Sequence, residues 1–291
     1  MIERRDFWAG IVLVGLLAGG MLLAVLLLTV VSADEPLITQ DCVAVAEIVG
    51  GIYAVRDQVE LLDTYAENDR VKAVLLELDT PGGGVAATQE LYEAVLRIRA
   101  EGKPVIASMG SVAASGGYYV AAACDTIMAL PATITGSIGV IAMFPNVREL
   151  MGKLGIGYET VKTGTFKDTG SSVRDLTPEE REYLDGLVGD MFEQFLEAVS
   201  TNRGMPVEQL RTLADGRVFT GRQAAQNGLI DLLGTRHDAV ILAGAMGGLG
   251  DDPPVYRDSG TGFFSGMYEG LADVAARFGN RIPMVSYQMS F

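Results

Sequence analysis

The 291-residue chain is 49% hydrophobic and carries a formal net charge of −15 at pH 7. This acidic balance argues against a nucleic-acid partner, because binding to phosphate requires a basic surface. The single histidine, His237, excludes a multi-histidine zinc site, and the two cysteines, Cys42 and Cys124, fit no metal or disulfide framework. We therefore expect no metal and no cofactor, two buried structural thiols, and a histidine with an ordinary surface or capping role.

An uncharged stretch near the N-terminus predicts a membrane anchor. Residues 7–31 contain no charged side chain and exceed the roughly 20 residues that are needed to cross a bilayer. Arg4 and Arg5 precede the stretch, which predicts that residues 1–6 lie in the cytoplasm and that the rest of the chain is extracytoplasmic. A cleaved signal peptide is the alternative, but the apolar core of such a peptide is only about 7–15 residues long. We expect a single-pass anchor in the cell membrane, followed by a polar tether at residues 32–41.

The next part of the chain alternates apolar runs with segments of helical periodicity. Strands are predicted at residues 43–49, 71–78 and 104–108, and helices at residues 56–67 and 85–99. Because this alternation has the spacing of right-handed crossovers, the sheet should be mostly parallel with helices on both faces. The predicted fold class is therefore α/β.

Shorter elements complete a domain that we place at residues 42–247. Strands are predicted at residues 126–130 and 157–161, and helices at residues 147–154, 177–201, 206–213 and 235–246. Residues 248–262 are rich in Gly, Asp and Pro, which is typical of a linker. Residues 263–291 form a C-terminal tail, for which an amphipathic segment and a docked terminal helix are equally good predictions.

Two glycine-rich turns follow predicted strands and define a candidate site. A Pro-Gly-Gly-Gly turn lies at residues 81–84, and a Ser-Gly-Gly turn lies at residues 115–117. Since the carboxyl ends of parallel strands meet at one edge of a sheet, amides from both turns can point at one oxygen, as in an oxyanion hole. A phosphate cradle would use the same amides, but no Gly-Lys-Ser/Thr sequence follows either turn, which argues against a P-loop.

Ser115 lies at a predicted strand-to-helix junction, where a serine hydroxyl can act as a nucleophile. The alternative is a small-residue turn that only packs against a neighbouring strand. A nucleophilic serine needs a base, and a lysine can serve if burial keeps it neutral. Lys162 and Lys167 flank a polar loop that follows the predicted strand at residues 157–161. The residues indicate this loop as the source of the base without choosing between its two lysines.

Five segments together resemble the signal peptide peptidase A family of membrane-anchored serine proteases, which share the ClpP/crotonase fold. The resemblance covers about residues 43–247, and its most specific segments lie at residues 79–84, 109–119, 135–140, 162–168 and 215–224. It implies a Ser-Lys dyad in which Ser115 is the nucleophile and Lys167 is the general base. It also implies an oxyanion hole formed by the amides of Gly83 and Gly116.

The resemblance further implies a membrane-anchored endopeptidase that degrades cleaved signal peptides and other hydrophobic peptides outside the cytoplasm. Its implied partners are these peptides, membrane lipid, and further copies of the chain in a ring whose active sites are shared between subunits. A related Ser-Lys membrane protease that cleaves stomatin-like partners is one alternative. A crotonase-type acyl-CoA enzyme is another, although an extracytoplasmic domain argues against it because CoA substrates are cytoplasmic.

Overall fold

The computed structural model describes residues 19–21, 38–258 and 285–288. The chain divides after Leu37 into two compact units. The domain predicted at residues 42–247 lies in the second unit. In the first unit the described residues are 19–21, which are helical.

The predicted anchor at residues 7–31 lies outside the described residues, except for residues 19–21. Within the described ranges, no helix is both long enough and apolar enough to cross a membrane. The anchor therefore stays a prediction from the sequence.

A parallel sheet forms the centre of the second unit. In spatial order its strands are β10 (Val255–Arg257), β1 (Cys42–Val49), β2 (Val71–Thr80), β4 (Val105–Ala114), β5 (Thr126–Ala129) and β9 (Leu232–Leu233). All neighbouring pairs along this order are parallel. Strand β6 (Ile134–Gly136) continues the parallel pairing beside the end of β4, and β8 (Val218–Thr220) is antiparallel to β6. The prediction of a mostly parallel α/β sheet is confirmed.

Three short strands form a second sheet. Strand β11 (Val285–Gln288) lies between β3 (Gly82–Gly84) and β7 (Ile141–Ala142) and is antiparallel to both. The segment that was predicted as a glycine-rich turn is therefore itself a paired strand.

Helices follow the strands along the chain. They are α1 (Arg56–Glu67), α2 (Val85–Ala100), α3 (Gly116–Ala122), α4 (Arg148–Lys153), α5 (Pro178–Arg203), α6 (Val207–Arg211), α7 (Gly221–Gln226) and α8 (Arg236–Met246). Helix α5 begins with a capping box, in which the Thr177 hydroxyl accepts from the Glu180 N–H and the Glu180 carboxylate accepts from the Thr177 N–H. This local signal explains why the predicted start of the helix is confirmed.

Alternate residues of β1 face two separate cores. Val43 and Val45 pack in a smaller core that contains Ala239 of α8. Ala44 and Ala46 belong to the larger core, which holds buried side chains from α1, α2, α3 and α5. Since successive side chains of a strand point to opposite faces, helices cover both faces of the sheet, as predicted.

Two predictions about the second half of the domain differ from the structure. Residues 157–161 form no strand, and Val161 is 95% exposed. In the described part of the chain no strand pairs with this segment, so its backbone gains no ladder hydrogen bonds. The predicted linker at residues 248–262 contains β10, which extends the sheet by pairing with β1.

The cysteines and the histidine have the predicted surroundings. Cys42 and Cys124 are free and buried, and burial raises the pKa of both thiols. His237 is exposed in the first turn of α8. These observations confirm structural thiols and a surface histidine.

Candidate active site

Ser115 joins β4 to α3 in a conformation that residues with a Cβ rarely adopt, with φ 54° and ψ −114°. Two hydrogen bonds hold it in place. Its N–H donates to the Gly136 carbonyl at 2.7 Å, and its carbonyl accepts from the Tyr119 N–H at 2.9 Å. The strained turn is therefore fixed by β6 on one side and by α3 on the other.

The Ser115 hydroxyl is buried and unpartnered. The residue is 1% exposed, and its Oγ has no hydrogen-bond partner among the described residues. Buried hydroxyls are nearly always hydrogen-bonded, so an orphan one on a strained turn needs an explanation. A nucleophile that meets its partners only when substrate is bound is one such explanation.

The structure brings the two predicted oxyanion donors together. A Cβ placed on Gly116 would lie 3.2 Å from the Gly83 amide nitrogen and 2.7 Å from Oγ1 of Thr88. A Cβ placed on Gly83 would lie 2.0 Å from the Ile52 carbonyl oxygen. Neither position has room for a side chain, which explains glycine at both.

The neighbours of β3 decide where the Gly83 amide points. The Gly84 N–H donates to the Ile52 carbonyl at 2.8 Å, and the Ile52 N–H donates to the Gly82 carbonyl at 3.0 Å. Because successive peptide groups of a strand point to opposite sides, the N–H and C=O of Gly83 point away from Ile52. They face β11, where Tyr287 lies opposite Gly83.

Thr88 is a second orphan hydroxyl, which the sequence prediction missed. It lies in the first turn of α2 and is fully buried, and its Oγ1 has no partner among the described residues. Its position continues the apolar face formed by Val85, Leu91 and Val95. A polar residue on an otherwise apolar helix face was the signal that could have found it.

The two lysines of the polar loop have different surroundings. Lys162 donates to the Thr165 carbonyl at 2.8 Å and forms an ion pair with Asp168. Lys167 is exposed, and within the described ranges its side chain has no hydrogen bond or ion pair. No hydrogen bond joins Lys167 to Ser115 in the single chain, because the serine hydroxyl has no partner among the described residues.

Two other lysines have structural roles. The Lys103 Nζ donates to the carbonyls of Tyr65, Ala66 and Asn68 at the end of α1. Burial lowers the pKa of Lys103, but these three hydrogen bonds commit the amine to capping the helix. Lys72 donates to the Asp69 carbonyl at 2.8 Å.

An ion-pair network holds the lysine loop against the start of α5. Arg174 Nε donates to Asp168 Oδ2 at 2.9 Å, and Arg174 Nη1 donates to Glu180 Oε2 at 2.8 Å. Hydrogen bonds from Arg174 and then from Lys162 hold the pKa of Asp168 well below its usual range. Hydrogen bonds from Arg174 and from the Thr177 N–H lower the pKa of Glu180 to about 2. Asp168, which follows Lys167 in the chain, is thus held in place by Arg174 and Lys162.

A groove of about 940 Å³ lies close to the serine turn. It is lined by Ser137, Val140, Ile141, Phe192 and Val218, among others. Ser137 follows the residue that accepts from the Ser115 N–H, and its own φ is 51°. The groove therefore offers a mixed lining beside the serine turn, in which the apolar side chains are joined by the charged residues Asp185, Asp215 and Arg217. Among the described residues, no group of three or more His, Cys, Asp or Glu side chains is placed to hold a metal ion.

Large apolar side chains are exposed on the segment that carries the loop lysines and on α5. They are Leu154, Ile156, Tyr158, Val161, Phe166 and Tyr183, which we call the apolar loop surface. The rings of Phe166 and Tyr183 lie 5.1 Å apart, which joins the loop to the helix. A set of exposed apolar side chains of this size is typical of an interaction surface.

Comparisons with known proteins indicate a family of peptidases. The sequence profile of peptidase family S49 matches residues 97–246. A putative protease of Synechocystis sp. is 42% identical over 186 residues, which are 64% of this chain and 67% of the relative. A putative signal peptide peptidase SppA of Enterococcus faecium is 36% identical over 200 residues, which are 68% of this chain and 58% of the relative.

Two further similarities were found, one to a curated protein and one to a solved structure. The chloroplastic serine protease SPPA of Arabidopsis thaliana is 37% identical over 186 residues, which are 64% of this chain and 27% of the relative. A solved variant of a membrane-bound stomatin-specific protease is 20% identical, with a TM-score of 0.48, and the match covers 77% of this chain and all of that one. The matches to the three sequence relatives thus span between 27% and 67% of those relatives' own lengths.

Proposed function

The chain belongs to peptidase family S49, and from this premise we propose that it is a serine endopeptidase with a Ser115–Lys167 dyad. The observation that carries the proposal is the orphan hydroxyl of Ser115, buried on a strained turn directly before Gly116. The close approach of Gly83 to Gly116 supports the oxyanion hole as a second feature of the same site.

The proposed mechanism uses side chains and backbone amides of this chain. Neutral Lys167 accepts the proton of Ser115 Oγ as the oxygen attacks the scissile carbonyl. The amides of Gly83 and Gly116 stabilise the oxyanion, each by about 3–4 kcal/mol. Lys167 then protonates the leaving amine, and a water molecule, deprotonated by the same lysine, hydrolyses the acyl-enzyme.

The surroundings of the loop lysines favour Lys167 over Lys162 as the base. The ion pair of Lys162 with Asp168 stabilises a charged ammonium, which cannot accept a proton. Lys167 has no such partner in the described part of the chain, but it is exposed. A lysine that acts as a general base must be neutral, which requires burial of its amine away from water.

A neighbouring copy of the chain is our proposed source of that burial. The apolar loop surface lies on the same segment as Lys167, and covering it would desolvate the lysine. We therefore propose a ring homo-oligomer in which Lys167 of one subunit serves Ser115 of the next. An isolated subunit would be inactive, because its serine would lack a base.

We propose cleaved signal peptides and other hydrophobic peptides as substrates, with the enzyme anchored in the membrane lipid by residues 7–31. The apolar part of the groove beside Ser137, formed by Val140, Ile141, Phe192 and Val218, supports apolar substrate side chains. The catalytic domain would then be extracytoplasmic, in a single-pass protein of the cell membrane. Stomatin-like partners and acyl-CoA thioesters are the alternative substrates that a screen must include.

Three variants of the full chain test the dyad. Ser115→Ala and Lys167→Ala should each abolish hydrolysis of a signal peptide and labelling of the protein by a fluorophosphonate. Lys162→Ala is the matched control from the same loop, and it should keep more than about a tenth of the activity. Normal turnover by Ser115→Ala or Lys167→Ala would refute the dyad, whereas thioester hydrolysis without peptide hydrolysis would favour the acyl-CoA alternative.

A further inference from the structure

Both neighbours of Lys167 in the chain are attached to the start of α5. Phe166 packs against Tyr183, with the two ring centroids 5.1 Å apart. On the other side of the lysine, the Asp168 carboxylate is joined to α5 through Arg174. The side chains that make these contacts form what we call the lysine clamp: Phe166, Asp168, Arg174, Glu180 and Tyr183. Lys167 therefore lies between two points of attachment to one helix.

Arg174 is the centre of the lysine clamp, because every N–H of its guanidinium has an acceptor. Its Nε donates to Asp168 Oδ2 at 2.9 Å, and its Nη2 donates to the Asp168 carbonyl at 3.0 Å and to Glu180 Oε1. Its Nη1 donates to Glu180 Oε2 at 2.8 Å and to the Asp175 carbonyl at 2.9 Å. A guanidinium has five N–H donors in a fixed planar arrangement, and all of them are used here. A lysine ammonium has only three donors and cannot reproduce these contacts.

Glu180 attaches the lysine clamp to the body of the domain. Its side chain is 2% exposed, and it also accepts from the Thr177 N–H and from the Thr169 hydroxyl. A capping box needs no buried carboxylate, since the exposed Gln223 closes the capping box of α7. Burial of a carboxylate is costly unless a cation pairs with it. The pairing with Arg174 therefore explains the burial of Glu180.

Helix α5 in turn connects the lysine clamp to the helix that follows the serine. The ring of Phe195 in α5 is buried and lies 4.9 Å from the ring of Tyr119 in α3. The Tyr119 N–H donates to the Ser115 carbonyl. Lys167 is thus held in a fixed relation to the rigid part of its own subunit.

We propose that Arg174 is a positioning residue for Lys167 and acts through the lysine clamp. This inference rests on the proposed dyad, in which Lys167 must reach a serine hydroxyl from an exposed loop. A flexible lysine side chain reaches a target accurately only from a backbone that is itself held in place. A displacement of about 1 Å between reacting groups can lower the rate about 10²-fold. Among the described residues that line the groove, Arg174 is absent, so its loss should affect kcat more than KM.

Arg174→Lys in the full chain tests the proposal, because it keeps the positive charge and loses the planar set of donors. The variant should lower kcat for a hydrophobic peptide at least about tenfold and change KM less than about threefold. Arg97→Lys is the matched control, since Arg97 of α2 donates through Nε and Nη2 to the Asp63 carboxylate of α1. The control should keep both constants within about twofold of the parent. A parent-like kcat in Arg174→Lys, an effect on KM alone, or equal losses in both variants would overturn the proposal.

Amide hydrogen exchange reports on the lysine clamp without any activity. The N–H groups of Lys167, Thr169 and Ser171 donate to carbonyls within the loop. In Arg174→Lys these amides should exchange at least about fivefold faster, while the amides of residues 105–122 keep the parent rates. Unchanged exchange in the loop, or equally faster exchange in both segments, would overturn the proposal, because neither result is a local release of the loop.

The two measurements separate the lysine clamp from the dyad. If the parent hydrolyses no peptide, the proposed function fails, and local hydrogen exchange alone decides whether Arg174 orders the loop. If Arg174→Lys does not fold, Tyr183→Ala replaces it in the exchange experiment, because Tyr183 is 51% exposed and its loss leaves the core intact. Tyr183→Ala should also speed exchange of the Lys167 and Thr169 amides, and parent rates there would overturn the proposal.

Discussion

The amide nitrogen of Gly83 lies 3.2 Å from the point at which a side chain on Gly116 would begin. A methyl group there would also lie 2.7 Å from Thr88 Oγ1. The backbone at Gly83 and the Thr88 hydroxyl must both shift to make room for the methyl group. That shift would move the Gly116 amide out of position.

Gly116→Ala should therefore lower kcat for peptide hydrolysis by about 10²–10³-fold, the cost of one lost oxyanion donor. Steady-state kinetics of the full chain measure the effect. The control is Gly186→Ala in α5, where a Cβ meets nothing within 4 Å and the helix gains stability. A kcat for Gly116→Ala close to that of the parent would contradict the assigned role of this amide.

The orphan hydroxyl of Thr88 predicts an unusual stability change. An unsatisfied buried hydroxyl costs about 1–3 kcal/mol, so Thr88→Val should raise the melting temperature or leave it unchanged. Thr135→Val is the matched control, since the buried Thr135 Oγ1 donates to the Ala113 carbonyl at 2.6 Å. Thr135→Val should lower stability by about 1 kcal/mol.

Thermal unfolding of both variants under identical conditions decides the comparison. A loss of stability in Thr88→Val as large as that in Thr135→Val would mean that Thr88 has a partner after all. A drop in kcat without a drop in stability would instead connect the hydroxyl to the neighbouring site.

The ion pairs of Arg174 with Asp168 and Glu180 predict that the protein loses stability in acid. The pKa of Glu180 falls to about 2 in the folded chain, below its ordinary value of about 4.3. A depressed folded pKa contributes stability that is present above the unfolded pKa and is lost as the pH falls through the folded pKa. The melting temperature of the parent should therefore decrease as the pH is lowered from about 4.5 to about 2.

Glu180→Gln should remove part of this pH dependence and lower the melting temperature at pH 7. Glu193→Gln is the control, because the ion pair of Glu193 with Arg211 is exposed and contributes little. Melting curves at several values of pH compare the two. A pH profile for Glu180→Gln that is parallel to that of the parent would remove Glu180 from the explanation.

The buried thiols predict protection from alkylation. Burial raises the pKa of Cys42 and Cys124, and only the thiolate reacts readily. Iodoacetamide at pH 8 should label neither cysteine in the native protein and both in urea, as read by intact mass. Rapid labelling of the native protein would show that the start of β1 or the segment after α3 opens.

Much of the fold follows from local signals. The predicted helix at residues 56–67 matches α1, and the capping box at Thr177 starts α5 as predicted. The predicted strands of the central sheet are confirmed because continuous apolar runs are buried wherever a parallel sheet forms. Helix α5 is only partly buried, since Tyr183 is exposed while Phe195 is in the core.

The prediction from sequence was least accurate for short strands. Residues 157–161 have an apolar pattern but no partner strand in the described part of the chain, whereas β10 lies in a Gly/Asp/Pro-rich segment and pairs with β1. A short strand is stable only through hydrogen bonds to a neighbour. Because the neighbouring strand is distant in the sequence, no local pattern predicts the pairing.

Residue types and their order determined that Ser115 follows a buried strand, that glycines accompany it, and that a loop with only two lysines, Lys162 and Lys167, offers candidates for a base. Only the tertiary structure decided that Gly83 and Gly116 approach each other, that the Thr88 hydroxyl beside them has no partner among the described residues, and that β11 faces the Gly83 amide. The physical reason is that periodicity and capping act within a few residues of the chain. Contacts between separate glycine segments, and the pairing of β11 with β3, depend on how the whole sheet assembles.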